Sequence, residues 1–381
     1  LHIVHINVAG NFTEGMTYQG NLISKYNRLA GHSVTIIAGL EMYDEGKIIR
    51  VPSTDTVLTD GIRLIRLPVR FSFISALAKR FRQAIGLSKL LSILQPDIIM
   101  FHDVQSIDLL TVVNHKLKHP WVKLYADSHS DAHNSATNLI SLHLLHRIFY
   151  RYIIKRCLQE IDKIFFVSLE AKDFLQQNYG INITEKLEFL PLGGEPISPE
   201  VKAMHRKKVR TDLKLDEKDI VLCHSGKFGP EKATYELVKA FREVQDDRLK
   251  LLVIGMFPNS EATRVVPLFH NDNRIIFLGW KTGQELMVYI AASDLYVQPG
   301  SQSATMQGAI CAGTPALFRN FKSHEPYIKG NAITIDSLEE LTGIIDDIAH
   351  ERVDLSAMSK KAFDLAHELL DYRKLAARIA M

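Results

Sequence analysis

The chain predicts an α/β protein built from two doubly wound Rossmann-like units. Short, β-branched apolar runs alternate with amphipathic helical segments from end to end, the pattern of parallel sheets covered by helices on both faces. The runs fall into two successive series, one for each unit. The length of 381 residues exceeds one ordinary domain and suits two.

The first series covers residues 1–8, 33–38, 62–67, 98–101, 122–126, 163–167 and 187–191. The second covers 220–224, 250–254, 275–278, 295–298, 315–318 and 332–335. Helical periodicity fills the intervals, as at 18–29, 76–94, 142–159, 169–178, 235–244, 283–292 and 338–350. Residues 191–199 supply turn-forming proline and glycine without periodicity. The boundary is expected there, with a first domain over 1–194 and a second over 195–355. Residues 356–381 read as helix throughout.

Composition narrows the function. A net charge of +3, its basic excess lying in the first half, is too small to argue for nucleic acid. Cys157, Cys223 and Cys311 are scattered without CxxC spacing, as expected of reduced, mostly buried thiols in a cytosolic protein. No run approaches the roughly 18–20 apolar residues of a membrane span. The opening run has neither the basic flank nor the cleavage pattern of a signal peptide. A soluble, cytoplasmic protein is expected.

In doubly wound sheets ligands sit beyond the carboxyl ends of the strands, and the unusual residues of this chain fall there. After the run 220–223 comes His224-Ser225-Gly226-Lys227-Phe228-Gly229-Pro230-Glu231-Lys232, then a helical pattern. A glycine turn lets backbone come close, a helix start offers unpaired N–H groups, and Lys227 and Lys232 add charge. Such a corner suits a diphosphate. In the first half, Gly15 lies in the turn that opens the first helix, and His102 follows the strand 98–101. Asp127, His129, Asp131 and His133 crowd the end of the strand 122–126. Their density allows a metal site, but His129 and His133 lack the Glu neighbour of an H-E-x-x-H motif, so no metal is expected.

These pieces, in this order, resemble the family-4 retaining glycosyltransferases of GT-B architecture. Gly226-Lys227 to Lys232 resembles the family's G-R/K-x-x-x-x-K element, which holds the diphosphate of a nucleotide-sugar. His102 after Pro96-Asp97 resembles its P-D-x-x-x-x-H strand end, and Leu29 to Thr35 its L-x-G-H-x-V-T segment. Phe277-Leu278-Gly279-Trp280 resembles the F-x-G-x element around the base, where Trp280 stacks on the base or simply packs. The stretch from Asp294 to Pro315 looks like the D-x-x-x-x-P-S … E-A-x-x-x-G-x-P block, with one departure. Two glutamates flank that loop in the family; here Ser301, Gln302 and Ser303 replace the first, and Gln307 or Gly308 stands where the second belongs.

The resemblance implies two facing domains with a cleft between them and a last helix crossing back to the first. It implies metal-independent transfer of a sugar from a nucleoside-diphosphate-sugar to a saccharide or lipid-linked saccharide, as in surface-polysaccharide assembly, with no cofactor beyond the donor. His129, Asp127 and His102 would be the catalytic wall. Gly15, Gly226, Lys227, Lys232, Gly279, Trp280, Ser301, Ser303 and Gln307 would hold the donor. Arg147, Arg151, Lys155 and Arg156 among the apolar residues of 142–159, and the run Phe71, Phe73, Ile74, Lys79, Arg80, permit weak contact with the inner face of a membrane. The missing glutamates leave open a catalytically silent binding partner; Asp127, Asp131 and Glu14 leave open a sugar-nucleotide epimerase.

Overall fold

The computed structural model describes residues 1–8, 10–44, 47–70, 81–131, 135, 141–182, 184–270 and 272–381. Contacts divide the chain into unit 1, Leu1–Pro191 with Tyr372–Met381, and unit 2, Leu192–Asp371.

Unit 1 contains strands β1 (His2–Asn7), β2 (Ser33–Ala38), β3 (Glu41–Asp44), β4 (Lys47–Arg50), β5 (Asp55–Val57), β6 (Arg63–Arg66), β7 (Ile98–Phe101), β8 (Lys123–Ser128), β9 (Lys163–Phe166) and β10 (Leu187–Phe189). Eight form one sheet in the order β10-β9-β8-β7-β1-β2-β6-β5. Every pairing in it is parallel except β5 with β6. The apolar runs become central strands because helices bury them on both faces: Ile3, Val4, Ile99, Phe101 and Leu124 are fully buried. The antiparallel edge strand β5 and the hairpin β3–β4 carry no such run. β4 and β5 are exposed along their length, and β5 is tied down by the Arg63 fork on Asp55 at 2.8 and 2.7 Å. Chain order turns back between β1 and β7, so the switch point of this sheet lies at their carboxyl ends.

Unit 2 contains β11 (Ile220–Lys227), β12 (Leu249–Met256), β13 (Ile275–Gly279), β14 (Leu295–Gln298), β15 (Ala316–Arg319) and β16 (Ala332–Ile335), in the order β13-β12-β11-β14-β15-β16. All pairings are parallel, which is the Rossmann order with its switch point between β11 and β14. Leu222, Phe241, Leu251, Leu295, Leu317 and Ile345 meet in its core.

The expected helix over 356–381 is instead three pieces. Leu355–Leu365 runs into a π-helical turn, Ala366–Leu370, and Asp371 breaks the run before a short helix, Tyr372–Ala377. Only the last piece packs in unit 1, where Tyr372, Leu375, Ala376 and Ile379 join Leu22 and Ile23 in one cluster. The unit boundary precedes residue 194 for a local reason. Gly194 donates its N–H to Leu370 O at 2.9 Å and lies so close to Cys311 that a Cβ would meet its Sγ at 2.5 Å. The expected helix at 142–159 forms as π-helix Ser141–Tyr150 followed by α-helix Arg151–Cys157. The run Phe71 to Arg80 and the start of the helix expected at 76–94 lie outside the described residues; Leu87–Leu94 is helical, entered through Gly86 at φ 88°.

Candidate functional site

At the switch point of unit 1 the expected wall is a buried chain of hydrogen bonds. His102 Nδ1 lies 2.7 Å from Asp127 Oδ2, and its Nε2 lies 3.1 Å from His5 Nδ1. His5 Nε2 lies 3.1 Å from Asn27 Oδ1, and Asn27 Nδ2 donates to Ala376 O at 2.8 Å. The His5 and His102 rings stack at 5.4 Å. Asp127, 1% exposed, also accepts the Asp103 N–H on Oδ1 at 2.7 Å. Asp103 holds a left-handed backbone (φ 68°) in which its carboxylate pairs with Arg82 at 2.5 Å.

Burial disfavours the Asp127 carboxylate, but His102 and His129 outweigh it and hold this acid well below the usual range. His129 Nε2 is 3.7 Å from Asp127 Oδ2. Desolvation draws His129 down, yet the charge and hydrogen bond of Asp127, with Asp103 behind, raise it overall. Its side chain is 43% exposed, against 8% for His102. Of the three expected wall residues, His129 is therefore the one open to a ligand; His102 and Asp127 support it from below. His133 lies outside the described residues.

A second glycine, Gly20, packs against this wall. A Cβ on Gly20 would stand 3.4 Å from Asn7 Nδ2 and 3.7 Å from His102 Cε1, whereas Gly15, at φ 75°, has open space around it. His5, Asn27 and Gly20 were missed in the sequence because they sit inside a strand and a helix, where polar residues and glycine look incidental.

At the switch point of unit 2, Gly226 (φ 151°) ends β11 beside Gly255 (φ 156°) of β12. Glycine is required there: a Cβ on Gly255 would collide with Gly226 O and stand 2.8 Å from Phe228 Cε2. The two lysines are not equivalent. Lys232 is half-buried, and its Nζ donates to Gln302 O at 3.2 Å; desolvation lowers its affinity for the proton against the opposing Glu231. Lys227 is exposed, and its side chain makes no hydrogen bond or ion pair among the described residues. Ser301 N–H donates to Glu231 O at 2.7 Å, which pins the loop 300–303 to the turn bearing Lys232.

Ser303 Oγ lies 3.1 Å from Thr305 Oγ1 and 3.4 Å from Thr305 N at the entrance of helix Thr305–Cys311. Below it Tyr296 OH bridges Ser225 Oγ and Gln298 Oε1, each at 3.3 Å. Gln307 is 6% exposed and its Oε1 has no hydrogen-bond partner among the described residues. Gly308, the other candidate for the missing acid, backs onto Met287 Sδ, which a Cβ would meet at 2.9 Å. Gly279 (φ 65°) ends β13, and Trp280 follows it 57% exposed.

Residues 205–364 match the family model described as Glycosyl transferases group 1. The match lies within unit 2 and spans most of it. A curated relative, alpha-monoglucosyldiacylglycerol synthase of Streptococcus pneumoniae, is 25% identical over 306 residues, 75% of this chain and 64% of that protein. The chain thus spans less than two thirds of that relative's length. Several solved structures share the fold. Anabaena HepE in complex with UDP superposes with a TM-score of 0.65 at 14% identity, covering 100% of this chain and 98% of that one. Sucrose-phosphate synthase of Thermosynechococcus elongatus gives 0.64 at 14% identity, over 100% and 97%. A glycosyltransferase of Rickettsia africae gives 0.66 at 14%, over 99% and 96%. The architecture is that of the GT-B glycosyltransferases, and the Lys232 corner lies within the residues that match the group 1 domain. Among the described residues no helix is long and apolar enough to cross a membrane.

Proposed function

We propose that the protein is a retaining glycosyltransferase that moves a sugar from a nucleoside diphosphate to a saccharide or lipid-linked saccharide. The reading rests on one observation above the rest: Lys232, the Gly226 and Gly255 backbone and the loop 300–303 converge at the switch point of a group 1 domain. In this reading Lys232 and nearby backbone N–H groups take the diphosphate, and Lys227 adds charge from the rim. Their positive potential stabilises the phosphate oxygens as the glycosidic bond breaks. The leaving phosphate accepts the acceptor's proton, so no side chain need act as base, and His129 donates a hydrogen bond to a sugar hydroxyl. Gln307 Oε1, without a partner among the described residues, accepts from a ligand hydroxyl in this reading.

A lipid-linked acceptor would be met at a membrane surface, and unit 1 carries a face suited to one. Leu144, Ile148 and Tyr152 are 60, 62 and 64% exposed along one helical stripe, and Lys155 and Arg156 lie exposed beside it. An exposed apolar stripe edged with cations is complementary to anionic lipid at the inner face of a membrane.

A thermal-shift screen with UDP, GDP and ADP tests the reading, because a ligand that binds only the folded state raises the melting point. At least one diphosphate should shift it, and the matching nucleotide-sugar should lose its sugar on incubation with the protein. No shift with any of them ends the proposal. Binding without sugar release supports the one rival with an observation behind it, a silent binding partner, since Gln307 or Gly308 stands at the acidic position.

A further inference from the structure

The hydrogen-bond chain through the floor of unit 1 has a proton count that its geometry dictates. It is closed by an acceptor at each end, the Asp127 carboxylate and the carbonyl of Ala376. Asn27 can serve that carbonyl only with its amide nitrogen, which turns Oδ1 toward His5. An amide oxygen only accepts, so His5 Nε2 must carry a hydrogen. The link between His5 Nδ1 and His102 Nε2 needs one more hydrogen, and His102 Nδ1 needs another to donate to Asp127. Three hydrogens on two imidazoles make one cation. We infer that His102 is a fixed imidazolium, donating from both ring nitrogens, and that Asn27 and His5 are positioning residues that keep it so through an anchor on the C-terminal segment.

Two alternatives fit the same contacts less well. The extra proton could sit on His5, but that ring is 1% exposed and bonded to no carboxylate, and burial with His102 beside it outweighs the pull of Asn27 and Asp127 and pushes its pKa down to about 3. The proton could instead move across the 2.7 Å hydrogen bond to make a neutral Asp127 acid. However, Asp127 accepts the Asp103 N–H and faces His129 as well, and both stabilise the carboxylate. The other charges about the pair are Asp103 and Arg82, already joined to each other. In consequence Asp127 is neutralised and unavailable as a base or nucleophile. His129 is left as the exposed ring of the wall, and the seating of Tyr372–Met381 sets the charge beneath it.

Imidazole 15N spectra of the uniformly labelled chain test this without reference to activity. The His102 signals are assigned by their loss in His102→Gln. At pH 7 both His102 nitrogens should show the protonated shift, and His5 should show a neutral ring protonated at Nε2. In Asn27→Leu, His5 is free to move its hydrogen to Nδ1 and His102 should lose its second proton, changing to a neutral Nδ1–H pattern. His5→Gln, which keeps an acceptor toward His102 and a donor toward Asn27, should retain the cation. A neutral His102 in the native protein overturns the inference, whatever the variants do. So does a protonated His102 that persists in Asn27→Leu. Failure of the glycosyltransferase reading would leave these spectra unchanged.

Discussion

Gly300 is pressed against Lys232: a Cβ on this glycine would stand 2.7 Å from Lys232 Cα and 2.5 Å from its carbonyl carbon, and would also strike Glu231 O. The turn that bears the lysine and the loop that follows β14 are thereby locked together. Gly300→Ala should cost about 1–3 kcal/mol as backbone moves aside. It should also abolish the diphosphate thermal shift, even where the fold survives. Melting curves with and without nucleotide check both parts; an unchanged nucleotide shift in a destabilised variant would separate the loop from the binding corner.

The unequal burial of the two lysines gives an ordered prediction. Lys232→Ala removes a cation aimed into the corner, and a charge-assisted hydrogen bond is worth about 1.5–3 kcal/mol, so diphosphate affinity should fall about 10- to 100-fold. Lys227→Ala should cost less, because its exposed charge is screened by solvent and salt. Calorimetric titration of each variant at two salt concentrations measures this. Equal losses would show that burial does not rank the two cations.

His224 makes unit 2 acid-sensitive. Its ring donates to Val297 O at 2.8 Å and accepts from Thr234 Oγ1 at 2.9 Å. Burial, with the nearby Lys232 charge, lowers its pKa to about 4 against the Val297 hydrogen bond. The unfolded chain takes up this proton below about 6.5, before the folded one does. The stabilisation is therefore present above about pH 6.5 and is lost as pH falls toward 4, to the extent of about 3 kcal/mol. Urea midpoints from pH 7 to 4 should drop more steeply for the native protein than for His224→Gln. Parallel curves would contradict the assignment.

The stripe of Leu144, Ile148 and Tyr152 can be changed without touching the core. Replacing Leu144 and Ile148 by Asp should leave the melting temperature nearly unchanged, since exposed substitutions usually stay within about 0.5 kcal/mol. Co-sedimentation with vesicles containing phosphatidylglycerol should be lost, and for the native protein it should weaken with salt. Native protein that ignores anionic vesicles would remove the lipid surface from the proposal.

All thirteen apolar runs anticipated from periodicity are strands of the two sheets; the central ones are buried on both faces and apolar along their length, while β10, β13 and β16 keep partly exposed positions. The elements that escaped are those stabilised otherwise. β5 is pinned by an ion pair, and helix Pro199–Leu213 starts on a Ser198 cap with only two buried residues. At the site, the strand-end position of His102, Asp127 and His129 was readable, as was the glycine-lysine corner. The ranking within each group was not, since Gly20 and not Gly15 packs against His102, and Lys232 alone of the two lysines is built into its corner.

By itself the sequence determined the alternation of elements, the two-sheet class and the strand ends at which polar residues gather, for these follow from local periodicity and turn chemistry. Only the tertiary structure decided which of those residues are buried and what they touch. His5, Asn27, His102, Asp127 and Ala376 are scattered along the chain and meet because β1, β7 and β8 are sheet neighbours and the last helix returns to unit 1. Protonation depends on hydrogen-bond partners and burial, and neither is a property of the residue that carries the proton.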